Sequence, residues 1–156
     1  MIQKKVEVFN LHEFLESQLA ARHGYEEQFQ PPDEVIDKLE ALWKNIVLPI
    51  REYLCQGTVS ITSGWRCARL NKKAGGSKTS QHMIGEAVDL EYYFDGKECN
   101  TEIINALIAL DLDFDQCIDE FGQRWVHISF TQRRKNRRLR LKSYKNSEGK
   151  TVYEQV

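Results

Sequence analysis

Ser80-Gln81-His82-Met83-Ile84-Gly85-Glu86-Ala87-Val88-Asp89 places a histidine and an aspartate seven residues apart among small side chains, and Trp125-Val126-His127-Ile128-Ser129 supplies a second imidazole. Two neutral imidazoles and a carboxylate fill three corners of a zinc tetrahedron, at roughly 2.0–2.2 Å, and leave the fourth for water. An open corner points to catalysis. Seven residues is too long a separation for neighbours on one helical turn, so the chain between them must reverse. Gly85 is the pivot, since glycine takes backbone angles closed to other residues. Val88-Asp89-Leu90 then reads as a short buried strand that carries the carboxylate. A lone His82 would read more simply as a capping or core histidine; the frame around it and His127 tip the balance toward a metal site.

Ser80-x-His82-x-x-Gly85-x-Ala87-x-Asp89 followed by Trp125-x-His127 resembles the zinc D-Ala-D-Ala carboxypeptidase family, which includes vancomycin-resistance D,D-dipeptidases and phage endolysin peptidases. Upstream, Ile61-Thr62-Ser63-Gly64-Trp65-Arg66, Leu70-Asn71 and Gly75-Gly76-Ser77 extend the resemblance to its small bacterial and phage members, over roughly residues 35 to 145. The resemblance implies one zinc ion per chain held by His82, Asp89 and His127. It also implies a substrate-positioning role for Ser80, and a grip by Arg66 on substrate or on its developing oxyanion. A guanidinium suits that task because it is a rigid fork of donors that keeps its charge. Read without the resemblance, Arg66 is a solvated loop arginine in a surface ion pair.

The dipeptidases and several endolysins place a carboxylate three residues before the last zinc histidine, and here that position is Arg124. The nearest acids are Asp119 and Glu120. If the segment before Glu120 pairs antiparallel with the His127 strand through a turn near Gly122 and Gln123, Glu120 lies opposite Trp125 and Ile118 opposite His127. Alternation then turns Glu120 to the side of His127 and Asp119 away, which makes Glu120 the general base; a slip of one residue reverses the choice. Glu86 and Glu91 are the fallback carboxylates. The activity expected is hydrolysis of an amide bond in peptidoglycan peptides, by a carboxypeptidase or an endopeptidase. The competing reading, motivated by Arg124, is a zinc-stabilised cell-wall or peptide-binding module without turnover.

The chain has 156 residues, enough for one domain with a sizeable core and too few for two ordinary ones. One zinc peptidase domain is expected over 1–156, with 1–32 as an N-terminal helical extension and 133–156 as a basic C-terminal segment. Apolar and charged fractions of 41% and 29% fit a soluble globular protein, without a membrane span. Met1 to Phe9 lacks an apolar run and a cleavage site, so no secretory signal is read. The protein is expected in the cytoplasm as synthesised, with delivery to the wall as in phage lysis enzymes by analogy. Cys55, Cys67, Cys99 and Cys117 show no close pairing and are read as free thiols. Net charge is −1, yet Arg133 to Lys142 is densely basic. A solvated charged face is the preferred reading, with attraction to an anionic cell wall as another. The run lacks interleaved aromatics and a recognisable motif, which argues against a nucleic-acid partner.

Residues 10 to 23 read as one amphipathic helix capped by Asn10 and ended by Gly24, with His12 and His23 as ordinary surface or packing residues. A longer helix starts at Pro31-Pro32-Asp33 and kinks or restarts at Pro49. Thr58 to Ser63 alternates as a strand that delivers Arg66. Residues 67 to 81 form a polar loop or short helix over the site, and Asp95-Gly96 marks a turn. Asn100 caps a helix with core residues Ile103, Ile104, Leu107 and Ile108. Asp115 to Asp119 and Trp125 to Phe130 are strands, and Arg138 to Lys142 an edge strand. Helices followed by strands indicate an α+β protein with an antiparallel sheet and flanking helices. The resemblance implies the Hedgehog/D,D-peptidase fold, with zinc in a cleft on the sheet.

Overall fold

The computed structural model describes residues 6–156. Met1 to Lys5, with the early lysines of the N-terminal segment, lie outside the described residues. The sheet has seven strands: β1 (Thr58–Ser63), β2 (Ala87–Phe94), β3 (Lys97–Glu98), β4 (Gln116–Glu120), β5 (Trp125–Ser129), β6 (Leu139–Lys145) and β7 (Thr151–Gln155). Their spatial order is β1-β2-β5-β4-β6-β7, with β3 paired to β2. Neighbours run antiparallel except β4 and β6, which are parallel. The antiparallel expectation is corrected there: after β5 the chain crosses back over β4 through the arginine-rich segment, and such a crossover returns a strand in the parallel sense.

Alternation divides the sheet into two chemically different faces. Val88 pairs with Ile128 and Leu90 with Val126, and all four are fully buried on the apolar face. Each such side chain contributes about 1.5–3 kcal/mol relative to leaving it in water. Helices α3 (Asp33–Leu42), α4 (Leu48–Tyr53) and α6 (Thr101–Ala109) share one core with them through Leu39, Leu42, Ile50, Ile103 and Leu107. On the opposite face, register aligns Asp89, His127, Ile118 and Leu141 in one row, and Trp125, Glu120, Ser143 and Tyr153 in the next. That polar face floors the cleft.

The N-terminal helix divides in two, α1 (Leu11–Leu15) and α2 (Gln18–His23). Ser17 interrupts it in extended conformation and caps α2, accepting a hydrogen bond from the Ala20 N–H at 3.1 Å. A serine that offers this cap competes with helix continuation. Phe14 and Leu15 enter the main core. Gln28, 1% exposed, donates to the carbonyls of Leu15 and Trp65 and accepts from the Cys67 N–H, tying the N-terminal helices to the segment that carries Arg66.

Pro49 produces neither a break nor a fresh start. A π turn over Trp43–Val47 joins α3 to α4, and the Leu48 N–H reaches back to the Trp43 carbonyl. Widening the turn accommodates a ring that lacks a donor and crowds the preceding turn. Asn100 does not cap α6 through its side chain. It accepts from the Tyr92 N–H and donates to the Glu98 carboxylate and the Gln123 and Arg124 carbonyls, binding the β4–β5 turn to the end of β2. The β6 strand is internal, because β7 covers it.

Candidate metal centre and cleft

The reversal between His82 and Asp89 is a short 3₁₀ turn, Gln81–Ile84, ended by Gly85 at φ +81°. A Cβ on Gly85 would stand 2.9 Å from the Val35 carbonyl, so both backbone angle and space demand glycine. The Glu86 N–H donates to the Gln81 carbonyl and closes the loop. From β1, the segment after Ser63 clasps this turn: Arg66 N–H donates to the His82 carbonyl and Trp65 Nε1 to the Met83 carbonyl. A bulge at Thr62, between the Ile61–Leu90 and Ser63–Asp89 pairs, brings Ser63 alongside Asp89.

His82 Nε2, Asp89 Oδ1 and His127 Nδ1 converge. The histidine atoms lie 3.2 and 3.0 Å from Oδ1 and 3.2 Å from each other. A tetrahedral ion with bonds of roughly 2.0–2.2 Å holds its ligand atoms about 3.3–3.6 Å apart, so small outward shifts complete the site. The donor chemistry also fits. His82 Nδ1 lies 2.7 Å from the Gly64 carbonyl and donates there, which leaves Nε2 as a bare lone pair facing a carboxylate. Burial, the largest influence, pushes the His82 pKa down against the Asp89 charge, which favours the neutral ring that a metal ligand needs. A lone pair on Nε2 facing the Asp89 carboxylate suits a cation between them. The second-nitrogen hydrogen bond to a carbonyl is the usual way a ligating imidazole is oriented.

Burial would raise the Asp89 pKa, but His82 and His127 together hold it well below the carboxylate range. The other oxygen, Oδ2, accepts from Arg66 Nη2 at 3.2 Å. Arg66 also donates from Nε to Ser63 Oγ and from Nη1 to Asn71 Oδ1. The guanidinium thus braces the ligand carboxylate and still lines the cleft with donors left over. Ser80 caps the 3₁₀ turn by accepting from the His82 N–H and lines the same cleft.

Glu120 pairs with Trp125 and Ile118 with His127, the register expected from parity, and Glu120, His82 and His127 line one cleft of about 900 Å³. Glu120 is 7% exposed. Burial raises its pKa above the ordinary value, opposed by the Ser143 hydroxyl and by His127. Ser143 Oγ accepts from the Phe121 N–H and donates to Glu120 Oε2. Asp119 is turned away and accepts from the Gln123 N–H. Phe121, Gly122 and Gln123 all have positive φ, at 49°, 70° and 71°, which tightens the turn. Of the fallback acids, Glu86 is buried in a bidentate pair with Arg133 and a hydrogen bond from Thr131, and Glu91 accepts from the Tyr93 hydroxyl.

The basic run forms a half-exposed charged face beside the cleft, in keeping with the solvated-face reading, and its arginines are also ion-paired. Arg133 pairs with Glu86, Arg134 and Arg137 with Asp115, and Arg138 with Asp111 and Asp113. Arg133, Arg134 and Arg137 line the cleft. Sequence reasoning missed Asp115, Ser143 and Tyr153. Ser143 has the parity of Leu139 and Leu141, and Thr151-Val152-Tyr153 is a β-prone run, so faint signals existed for both; none marked Asp115. All four cysteines are free, and burial raises the Cys117 thiol to about 12. No helix among the described residues is long and apolar enough to cross a membrane.

A sequence model of the family described as Peptidase M15 matches residues 7–129. Comparison with curated proteins finds no match. The matched span ends with β5, so the arginine-rich crossover, β6 and β7 lie beyond it.

Proposed function

Because this chain belongs to the peptidase M15 family, a family of zinc-dependent metallopeptidases, we propose that it hydrolyses an amide bond in peptidoglycan stem or cross-link peptides, with zinc held by His82, Asp89 and His127. The observation that carries this reading is the convergence of three potential ligand atoms beside the buried Glu120 carboxylate in one cleft. The fold assigned to this chemistry is the Hedgehog/D,D-peptidase arrangement, supported by the site's position on the polar face of the sheet.

When bound, zinc lowers the pKa of its water and polarises the scissile carbonyl. Glu120 accepts the water proton at a carboxylate oxygen and passes it to the leaving amine; a pKa raised by burial brings it toward the working pH, where such transfers are efficient. Ser143 donates to Oε2 and so keeps that oxygen an acceptor, leaving Oε1 free to face substrate. Arg66 serves twice, bracing Asp89 and offering its remaining N–H groups to the tetrahedral oxyanion. Ser80 positions the substrate chain at the mouth.

The second reading, a zinc-stabilised module that binds wall peptides without cutting them, rests on Arg124 where the dipeptidases carry an acid. Glu120 supplies a carboxylate from the adjacent strand and favours turnover. Digestion of purified peptidoglycan by the zinc-loaded protein, with new termini identified by mass spectrometry, separates the readings. New termini that disappear with a chelator are expected; sedimentation with the wall and no new termini would establish the binding module.

A further inference from the structure

Arg134 and Arg137 converge on Asp115, whose carboxylate is 0% exposed. Arg134 donates from Nη1 and Nη2 at 2.7 and 3.0 Å, and Arg137 from Nε and Nη2 at 3.0 and 2.9 Å. The Arg137 N–H and Gln81 Nε2 add bonds at 3.0 and 3.2 Å. One guanidinium would neutralise this carboxylate. Two leave a surplus positive charge, held at fixed orientation by bidentate contacts. Both arginines are about half exposed, at 41% and 48%, and both face the cleft. Among the described residues, Arg134 Nε and Arg137 Nη1 meet no acceptor.

The surplus sits beside the metal site, because Gln81, which bonds Asp115, immediately precedes His82. The cleft walls carry Arg66, Arg133, Arg134, Arg137 and Lys145; against them stand Asp89 and Glu120 in the walls and Glu86 and Asp115 behind them, which leaves a positive surplus at the shared Asp115. Two guanidinium groups that share a single carboxylate still repel each other, and a second anion relieves that repulsion. A pre-oriented guanidinium pair with open N–H groups suits a planar carboxylate better than a point charge would.

We infer that Arg134 and Arg137, held by Asp115, form a carboxylate-binding subsite, so that the preferred substrate is a peptide with a free carboxylate close to the scissile amide. This rests on the peptidase reading above and narrows its substrate class. The two arginines lie beyond the matched family span, and Asp115, which holds them, lies within it.

Two peptide pairs test it. One pair is N-acetyl-D-Ala-D-Ala and its C-terminal amide; the other is C-terminally amidated and differs by an internal Glu or Gln. With zinc-loaded protein, kcat/KM is expected to favour the acid by about tenfold or more in one pair, mainly through KM, since a charge-assisted bond is stronger than a neutral one. The pair that discriminates tells a terminal from a side-chain carboxylate. Arg137→Gln should collapse the preference toward unity, and Arg134→Lys, which keeps the charge and loses the fork, should give an intermediate value. Thermal melting checks that both variants fold. An independent arm titrates metal-free, ¹⁵N-labelled wild type with each peptide: the acid should shift the Arg134 and Arg137 Nε resonances and the amide should not. Equal handling of acid and amide in both pairs, or an acid preference that survives Arg137→Gln, overturns the subsite. Cleavage of no peptide alongside selective shifts in the titration would instead count against the peptidase reading and leave the subsite standing.

Discussion

On the near wall of the cleft, His82 and Asp89 come from one short stretch and His127 from the strand paired with it, so three ligands need only a turn and one hairpin-like register. On the far wall, Ser143 and the arginine pair arrive through a crossover and a parallel pairing, and they act by holding buried carboxylates. The near wall offers lone pairs to a cation; the far wall offers N–H and O–H groups to anions. On the proposed reading, metal binding falls to one wall and proton handling and substrate charge to the other. Damage to the near wall should therefore abolish the site, whereas damage to the far wall should tune or loosen it.

The largest effect expected is loss of metal. His82→Ala and His127→Ala should each weaken zinc by at least about 100-fold, since a three-ligand site loses a corner. Metal content by mass spectrometry reads this directly, with Cys-to-Ser variants retaining zinc as the control. Zinc retained in both histidine variants would erase the distinction between the walls. Acid should also release the metal, because the neutral imidazoles it needs become protonated.

Next is Glu120→Gln, which should keep zinc and lose about 10²- to 10⁴-fold in kcat. Ser143→Ala should lose less, on the order of tenfold, and Ser143→Thr should restore much of it if the hydroxyl orients the carboxylate. Ser143→Ala with unaltered kinetics would confine catalysis to the near wall and β4.

Asp115→Asn should destabilise the fold by about 2–4 kcal/mol, toward the lower part of the range for stranding buried charge because both arginines are half exposed. The sign with pH follows from the direction of the shifts. Burial would raise the Asp115 carboxyl, but Arg137 and Arg134 hold it below its ordinary value, and Asp89 is likewise depressed. A depressed folded pKa favours the folded state above the unfolded pKa, and that advantage is lost as pH falls. The melting temperature of metal-free protein should thus fall steeply below about pH 4, and less steeply in Asp115→Asn. An identical pH profile would remove Asp115 from the ledger of the far wall.

The smallest effect belongs to Asp119→Asn, which should alter kcat by less than about threefold, because alternation turns this side chain away from the cleft. A dead Asp119→Asn beside an active Glu120→Gln would reverse the assignment of the base.

Legibility followed the same division. Gly85, the Asp95-Gly96 turn and the parity of Ile118 and Glu120 could be read because each depends on residues a few positions apart. Ser17 and Pro49 were legible as punctuation, but their outcomes were not: whether the chain breaks or widens into a π turn depends on what Phe14, Leu15, Ile46 and Val47 pack against. The arginine run was conspicuous and its direction was not, since nothing local says that Asp115 and Glu86 lie beneath it.

The sequence by itself marked His82, Asp89 and His127 as candidate ligands through their donor chemistry and the family resemblance; it also determined the pivot at Gly85, the two-faced alternation of the central strands and the α+β class, because these follow from short-range sterics and periodicity. Only the tertiary structure decided that β6 joins β4 in parallel and gains β7, that Ser143 reaches Glu120, and that two arginines share one buried carboxylate. Those outcomes are set by pairing across long stretches of chain, where closing the loop and burying the charge are resolved together and no single segment carries the answer.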